Sequence, residues 1–402
     1  MAKKRILLTG ATGLLGRNLT FEFIKQNKSD LDDMEIIVLG RGQGEISLHS
    51  RLREIIMNDG LDYIELAEND VDDLLKFIDK NISCIEIDYH KDDLSISKDD
   101  FNKLKSKQID LFFHIASITD FRDTAEVKSR LEAFNVEGTK RIVSLVESLD
   151  VKEFCYVGSA YSCGKTVGEI MPDYINLDQN FRNPYELTKL KAEIITRNFS
   201  KENGLKYRCF RPSTLCGRLI EQNLGKINKF DVFYGFGAFW LHAKSKMLTD
   251  IERIYDKPVH VDARIHYSME SGLNIVAADY AAKVMFSVCS QNIDGDSFHL
   301  ANNNETPHSF YINQILDTLK INGVKYSDNV PENMNRLETF FYKTAGMIFA
   351  PYVVSGPMLF DTSNLDNVLS ESNIYCPEID DNNFDVLMDY AKKEYFGLAF
   401  NH

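Results

Sequence analysis

A tyrosine and a lysine stand four residues apart in the segment Asn183-Pro184-Tyr185-Glu186-Leu187-Thr188-Lys189. On a helix that spacing puts both side chains on one face. A free phenol has a pKa near about 10, too high for efficient proton transfer at neutral pH, and a neighbouring ammonium lowers it. The pair can therefore serve as an acid/base unit, with the lysine amine also reaching a sugar hydroxyl. A third group must hold the reacting oxygen. Ser159 is placed for that, because Phe154 to Val157 reads as a strand and Gly158-Ser159 follow its carboxyl end. Far upstream, Thr9, Gly10, Ala11, Thr12, Gly13, Leu14, Leu15 and Gly16 form a glycine-rich turn. Gly10 permits a tight turn, Gly13 a close backbone approach to a pyrophosphate, and Gly16 close packing of helix on strand. The free N–H groups of the following helix complete an anion site. Loop, serine, tyrosine and lysine together imply a nicotinamide-dependent enzyme with a tyrosine proton donor.

The end of the second strand decides which nicotinamide cofactor is expected. Sites for NAD usually carry Asp or Glu there, for the ribose hydroxyls. This chain has Gly40-Arg41-Gly42 after Leu39. A guanidinium pairs with a 2′-phosphate instead, and Arg51 can help from the next helix. NADP(H) is expected over NAD(H).

The elements that must position these groups alternate. Ile6–Leu8, Glu35–Leu39, Cys84–Ile87, Leu111–Ile115, Phe154–Val157, Lys206–Phe210, Leu273–Val276 and Ser297–Leu300 read as strands. Leu14–Gln26, Leu48–Met57, Val71–Ile78, Val136–Leu149, Tyr185–Lys201 and Ala277–Ser290 read as helices, from apolar residues at three- and four-residue spacing. Asn183 caps the helix carrying the pair, Pro184 suits its first turn, and Glu186 can close a capping box. Alternation of this kind implies an α/β fold, a Rossmann-type doubly wound parallel sheet covered on both faces. After Arg211 the pattern loosens. Residues 217 to about 270 are rich in Phe, Tyr, Lys and Gly, and 305–402 read as mostly helical with turns at Pro307, Pro331, Pro351 and Pro377. The expected division is a cofactor domain of 1–216 plus 272–300 and a smaller, mostly helical substrate lobe of 217–271 plus 301–402. That lobe would cover the carboxyl edge of the sheet, where open α/β sheets bind ligands.

Composition excludes several function classes. The chain has 402 residues, 44% of them hydrophobic, and a net charge of −14, which argues against nucleic-acid binding and against a polybasic membrane anchor. No apolar run reaches the length of a transmembrane helix. The nearest, Ala345 to Phe360, is interrupted by Pro351, Gly356 and Pro357 and reads as a buried or substrate-facing segment. Lys3-Lys4-Arg5 precede too short an apolar stretch for a signal peptide. The seven cysteines (84, 155, 163, 209, 216, 289 and 376) are irregularly spaced without CxxC, so reduced thiols in a cytoplasmic protein are expected and no metal site. Cys163 and Cys216 read as small buried groups, and His114 as a satisfied core histidine.

With those residues in hand, the chain resembles the extended short-chain dehydrogenase/reductase family. It looks closest to the branch that reduces fatty-acyl and carrier-bound thioesters. The resemblance runs over roughly 1–300. The glycine loop, Arg41 and Ser50-Arg51-Leu52 are similar to that branch's cofactor segment. Ile87-Asp88, with Tyr89 beside them, resemble the part that lies along the adenine. Phe113-His114-Ile115-Ala116-Ser117 resemble the strand end beside the cofactor, and Asn135-Val136-Glu137-Gly138-Thr139 the helix-start motif. Val157-Gly158-Ser159-Ala160-Tyr161 resemble the strand with the catalytic hydroxyl. Arg211-Pro212-Ser213-Thr214-Leu215-Cys216-Gly217 resemble the segment passing the nicotinamide, and Asn274 to Tyr280 also have a counterpart. Gly158 departs from the branch, which often has Ser there, and 217–270 shows no alignable pattern. The segment Cys216-Gly217-Arg218 replaces the Tyr-Gly-Pro turn common in sugar-nucleotide members.

The resemblance implies an NADPH-dependent reductase of an acyl thioester, on coenzyme A or a carrier protein, giving an aldehyde or alcohol. Ser159, Tyr185 and Lys189 would be the catalytic set. The alternative is an NAD(P)-dependent epimerase, dehydratase or ketoreductase of a nucleotide sugar or another alcohol. Related enzymes often pair through two helices beside the sheet. The candidates for such a homodimer contact are Thr124 to Leu149 and Pro184 to Lys201.

Overall fold

A computed structural model describes residues 3–66, 70–248, 252–291, 293 and 295–400. The parts of the two anticipated lobes at 1–2, 67–69, 249–251, 292, 294 and 401–402 lie outside the described residues.

Seven strands form one parallel sheet: β1 (Lys4–Thr9), β2 (Met34–Gly40), β3 (Ile82–Glu86), β4 (Gln108–His114), β5 (Asp150–Val157), β6 (Lys206–Pro212) and β7 (Ser297–Leu300). Their spatial order is β7-β6-β5-β4-β1-β2-β3. Side chains alternate across the sheet, so Ile6 and Leu8 of β1 join one apolar cluster and Leu7 joins the other. Both faces are buried, which is why these strands read as unbroken apolar runs. The chain leaves β1 in one direction and returns at β4 to run the other way. The carboxyl ends of β1 and β4 therefore flank the switch point where such sheets open a crevice.

The helices that matter for the site are α1 (Leu14–Gln26), α2 (Gly138–Glu147), α3 (Pro184–Glu202), α4 (Phe233–Ser245), α5 (Ala278–Ser290) and α6 (Ala345–Val353). α1 lies along α5, with Phe23 and Phe286 meeting edge to face at 5.3 Å. α2 continues a π-helical stretch, Glu132–Glu137, and a preceding helix, Ala125–Leu131. The anticipated helix from Val136 to Leu149 thus begins earlier and contains a bulge. The helix at Leu48 likewise runs to Ile55 and passes into a π-helical turn, Ile56–Gly60.

Two other expectations are corrected. Leu273–Val276 is not a strand of the seven-stranded sheet. It splits into Gly272–Leu273, paired with Thr306–Pro307, and Ile275–Ala277, paired with Thr214–Cys216. The break falls at Asn274, whose amide accepts from the Ser213 hydroxyl (2.7 Å) and the Asn302 N–H (3.0 Å) and donates to the Asn302 carbonyl (2.7 Å). The region 305–402 is mostly helical, as expected, and also carries two strands: Ile321–Ser327 pairs with Val259–His266 and Met358–Phe360 with Gly168–Ile170. Pro351 lies inside α6 rather than at a turn. Its fixed φ suits a helix, and it removes one N–H.

The apolar core runs without a break from the sheet into residues of α4 and α6, including Phe233, Phe236, Trp240, Phe349 and Val353. The rings of Phe236 and Phe349 stack at 5.1 Å. This packing sets the two helices over the carboxyl ends of the strands.

Candidate functional site

The glycine loop joins β1 to α1 over the switch point. Gly10 has φ +76°, and a Cβ there would stand 2.7 Å from the Ala116 nitrogen. A Cβ on Gly16 would stand 2.1 Å from the Gly10 carbonyl oxygen. Both glycines are therefore required by the fold itself. Gly13 differs. Its φ is −78°, it is exposed, and a Cβ would meet only the Gly10 oxygen at 3.4 Å. Among the described residues nothing demands a glycine there, whereas a phosphate lying on the backbone would. No side chain caps the start of α1, so its N–H groups and partial positive charge are open to an anion. The residues present fit a dinucleotide pyrophosphate on these grounds.

Thr9 sits under this loop rather than in it. The β1–β4 register sets Thr9 opposite His114. The Thr139 hydroxyl donates to the Asn135 carbonyl (2.6 Å), so it accepts from His114 Nε2 (3.0 Å). His114 Nδ1 must then accept from the Thr9 hydroxyl (2.8 Å), whose oxygen accepts in turn from the Ile115 and Ala116 N–H groups (3.0 and 3.2 Å). Burial pushes the His114 pKa down to about 3, with Lys189 adding to it, so the ring is neutral. This chain of hydrogen bonds holds the Ile115–Ser117 strand end against Gly10.

The cavity above these elements has a volume of about 850 Å³. It is lined by Gly10, Thr12, Gly13, Leu14, Leu15, Gly16, Arg41, Arg51, Tyr89, Ile115, Ala116, Ser117, Ser159, Tyr185, Lys189, Pro212, Ser213 and Thr214 among the anticipated residues. Arg51 donates to the Arg41 carbonyl (2.8 Å), which holds the two arginines at one end. The Arg41 guanidinium stands 5.8 Å from the Phe134 ring.

Three anticipated cofactor residues, Thr9, Asp88 and Asn135, do not line it. Asp88 accepts from the His90 N–H (2.9 Å) in a local turn, so its carboxylate serves the loop. Asn135 is buried in the π-helical stretch, where its amide accepts from the Ile118 N–H (2.8 Å) and donates to the Ile118 carbonyl (3.0 Å). It fixes the cavity-lining strand end from behind. The bulge supplies this, since a π-turn re-aims one side chain within a helix.

α3 carries the tyrosine and lysine on one face, as its spacing requires. Asn183 caps it, accepting from the Glu186 N–H (3.1 Å). Glu186 does not close a capping box. Its carboxylate accepts from the Arg182 N–H (2.9 Å) and pairs with the Arg182 guanidinium at 3.5 Å, all of it buried. The freed Asn183 amide donates to the Tyr352 hydroxyl of α6 (2.7 Å). The ring of Phe121 meets Tyr185 edge to face at 5.4 Å and Tyr352 at 6.0 Å. One end of α6 is thereby fastened to the N-terminus of the catalytic-candidate helix.

Ser159 is 5% exposed, and its hydroxyl accepts from the Tyr161 N–H (3.3 Å). Lys189 is 2% exposed; its ammonium donates to the Val157 carbonyl at 2.5 Å and lies 4.8 Å from the Tyr156 ring. Burial lowers the Lys189 pKa to about 8. The anticipated lowering of the Tyr185 pKa is not seen in this form. Burial pushes the phenol up to about 12, against the Thr119 and Ser117 hydroxyls, which hold it down. The ammonium is engaged with a backbone carbonyl, and desolvation outweighs it.

Sequence reasoning missed Thr119, Phe121 and Tyr161 on the near wall, and Phe236, Phe349 and Tyr352 on the far one. The aromatic run from Phe230 to Trp240 and the apolar segment from Ala345 were the available signals. The seven cysteines are unpaired. Glu153, Cys155 and Cys289 bring possible ligand atoms within 4.8 Å of one another, but Glu153 already accepts from Arg208 (3.0 Å) and pairs with Lys206 (2.8 Å). Among the described residues no helix is long and apolar enough to cross a membrane.

Comparison with known proteins places this geometry in context. An NAD-binding family model described as male sterility protein matches residues 8–285. A linear gramicidin synthase polypeptide of Brevibacillus parabrevis is 23% identical over 399 residues, 96% of this chain and 7% of that protein. Fatty acyl-CoA reductase 2 of Homo sapiens is 30% identical over 160 residues, 40% of this chain and 28% of that protein. The chain thus spans well under a third of either relative. The crystal structure of the terminal R domain from the myxalamid PKS-NRPS biosynthetic pathway superposes with a TM-score of 0.71 at 19% identity, covering 98% of this chain and 92% of that one.

Proposed function

The chain belongs to the male sterility protein family, within the extended short-chain dehydrogenases/reductases, and from that premise we propose that it is an NADPH-dependent reductase of an acyl thioester. The acyl group would arrive on coenzyme A or a carrier protein and leave as an aldehyde or alcohol. The observation that carries this reading is the composition of one cavity. Ser159, Tyr185 and Lys189 share it with the glycine loop and with an apolar, aromatic far wall that includes Phe236, Phe349 and Tyr352. The division into a cofactor domain (1–216 plus 272–300) and a substrate lobe (217–271 plus 301–402) is part of the same proposal.

Gly13 and the N-terminus of α1 would hold the pyrophosphate, and Arg41 with Arg51 the 2′-phosphate. The bound reduced nicotinamide supplies a hydride. Ser159 and Tyr185 donate hydrogen bonds to the thioester oxygen as it gains negative charge, in a site where burial strengthens them. Tyr185 then gives up its proton. Lys189 holds a ribose hydroxyl and, once its ammonium turns from the Val157 carbonyl, favours the phenolate left behind. The resulting hemithioacetal returns its hydroxyl proton to the phenolate, and the sulfur leaves with a proton from solvent, giving aldehyde and thiol.

The test is NADPH consumption over a panel of acyl-CoA, acyl-carrier and nucleotide-sugar substrates, for the wild type and Tyr185→Phe. Thioester-dependent NADPH loss that drops by about 10²- to 10⁴-fold in the variant, with NADPH binding kept, is expected. Turnover of the variant near wild type would overturn the mechanism. Sugar conversion without net NADPH loss would replace the reading by that of an epimerase.

A further inference from the structure

Gly235 is a glycine that its own fold does not need. It stands in the first turn of α4, inside a helix, where glycine is less favourable than alanine. A Cβ on it would meet only the Phe230 carbonyl oxygen, at an ordinary 3.8 Å, and its φ lies outside the left-handed region. Gly237, two residues on, is the contrast: a Cβ there would stand 2.3 Å from the Phe396 ring. Packing therefore accounts for Gly237 and leaves Gly235 unexplained.

What Gly235 borders is the cavity that Ser159 and Tyr185 also line. Apart from Lys229 and Asp231 on the segment leading into α4, the lining beside it is largely apolar. Phe236 stacks on Phe349 at 5.1 Å with 24° between the rings, and Ala345 and Ile348 line the same wall. Val232, just before α4 and also on the cavity, holds φ +53° and ψ −117°. A β-branched residue reaches that region only with strain, which persists where the surrounding structure over-determines it. The unforced glycine leaves space open on the aromatic side of the cavity, one turn from this strained entry.

We propose that Gly235 sets the size of the acyl group this protein accepts, its missing methyl leaving the room that the chain beyond the thioester carbonyl occupies. The proposal rests on the thioester reading above. An apolar chain entering this wall removes its own surface and that of the rings from water. A side chain at 235 would take up part of that room and shorten the chain that fits.

The test compares kcat/KM for straight-chain acyl thioesters, from acetyl to palmitoyl, in the wild type, Gly235→Ala and Gly235→Leu. One methylene more or less in an apolar pocket changes kcat/KM by about 10- to 200-fold. The ratio of long-chain to short-chain kcat/KM is expected to fall by about that factor in Gly235→Ala and further in Gly235→Leu. The melting temperature of Gly235→Ala should equal or exceed that of the wild type, because alanine replaces a helical glycine. A merely structural role would lower turnover at every chain length together. That outcome, or an unchanged ratio in the alanine variant, overturns the proposal even if the leucine variant fails to fold. A wild type that reduces no thioester of any length instead sinks the thioester reading, and size selection falls with it.

Discussion

The glycine loop separates two roles that a motif runs together, and alanine substitutions can tell them apart. Gly16→Ala puts a methyl 2.1 Å from the Gly10 oxygen, 2.8 Å from the Gly10 carbonyl carbon and 3.0 Å from the Ala11 Cα. All three are backbone atoms of the same tight turn, so none can move without opening it. Overpacking of this kind costs about 1–3 kcal/mol. For 402 residues, at about 2.1 cal/mol/K of unfolding entropy per residue, that lowers the melting temperature by about 1–4 °C. Gly13→Ala meets only one oxygen, at 3.4 Å, with φ at −78°. Alanine is a poorer N-cap than glycine by roughly 1 kcal/mol, and its stiffer unfolded chain returns about 0.4–1 kcal/mol, so stability should barely change. Its methyl nevertheless stands where the pyrophosphate would lie on the backbone. NADPH affinity should fall by about tenfold or more, which is about 1.4 kcal/mol. Thermal melts without cofactor and NADPH fluorescence titrations measure the two quantities separately. Wild-type NADPH affinity in Gly13→Ala would refute the argument that Gly13 is kept for a ligand.

Arg41→Ala should raise the Kd for NADPH by about tenfold, the scale of one charge-assisted hydrogen bond, and leave NADH binding nearly unchanged; equal losses for both would remove Arg41 from 2′-phosphate recognition. Tyr352→Phe leaves the buried Asn183 amide without its 2.7 Å acceptor, at a cost of about 1–3 kcal/mol, and should lower both the melting temperature and kcat; a variant with unaltered kcat would mean that α6 does not steady the N-terminus of α3. Burial holds the pKa of His114 at about 3 and those of His299 and His308 at about 4, below the unfolded value near 6.5. Between those limits the unfolded chain binds more protons than the folded one, so stability rises with pH and is lost as pH falls from about 6.5 toward 4. His299→Asn should flatten that slope in melts across pH; an unchanged slope would assign the acid sensitivity to other groups.

The sheet was legible because each strand is buried on both faces and declares itself as an apolar run, and seven of the eight strands read in the sequence join it. Leu273–Val276 has the same composition but is interrupted by Asn274, whose side-chain partners are Ser213 and Asn302. Only tertiary contact reveals that. α4 escaped for the opposite reason. Phe233, Tyr234, Phe236, Phe239, Trp240 and Leu241 are all buried, so the helix is apolar nearly all round and shows no amphipathic period. The near wall of the cavity follows strand ends and was readable from spacing. The far wall depends on Asn183 meeting Tyr352 across 169 residues, and no local pattern encodes that pairing. Even the cap of α3 was half legible: the asparagine caps as its type predicts, while Glu186 answers to Arg182 in a buried pair rather than to the helix end.

Desolvation acts on the two titrating members of the site in opposite senses. It raises the Tyr185 phenol to about 12 and lowers the Lys189 ammonium to about 8. Both shifts favour the uncharged form, as burial must. At neutral pH a phenol so raised is protonated, and a reduction of a carbonyl needs its donor protonated. The cost of the raised pKa is a weak acid, and it is met only when negative charge appears on the oxygen that Tyr185 and Ser159 would share. The neighbouring Thr119 and Ser117 hydroxyls already pull the phenol pKa downward, and the Lys189 ammonium, four residues on, is held by a single carbonyl, that of Val157. Under the proposed function a ribose hydroxyl would compete with that carbonyl for the ammonium. Cofactor binding would then do more than supply a hydride: by loosening the ammonium from Val157 it would leave Lys189 free to assist Tyr185 as an acid.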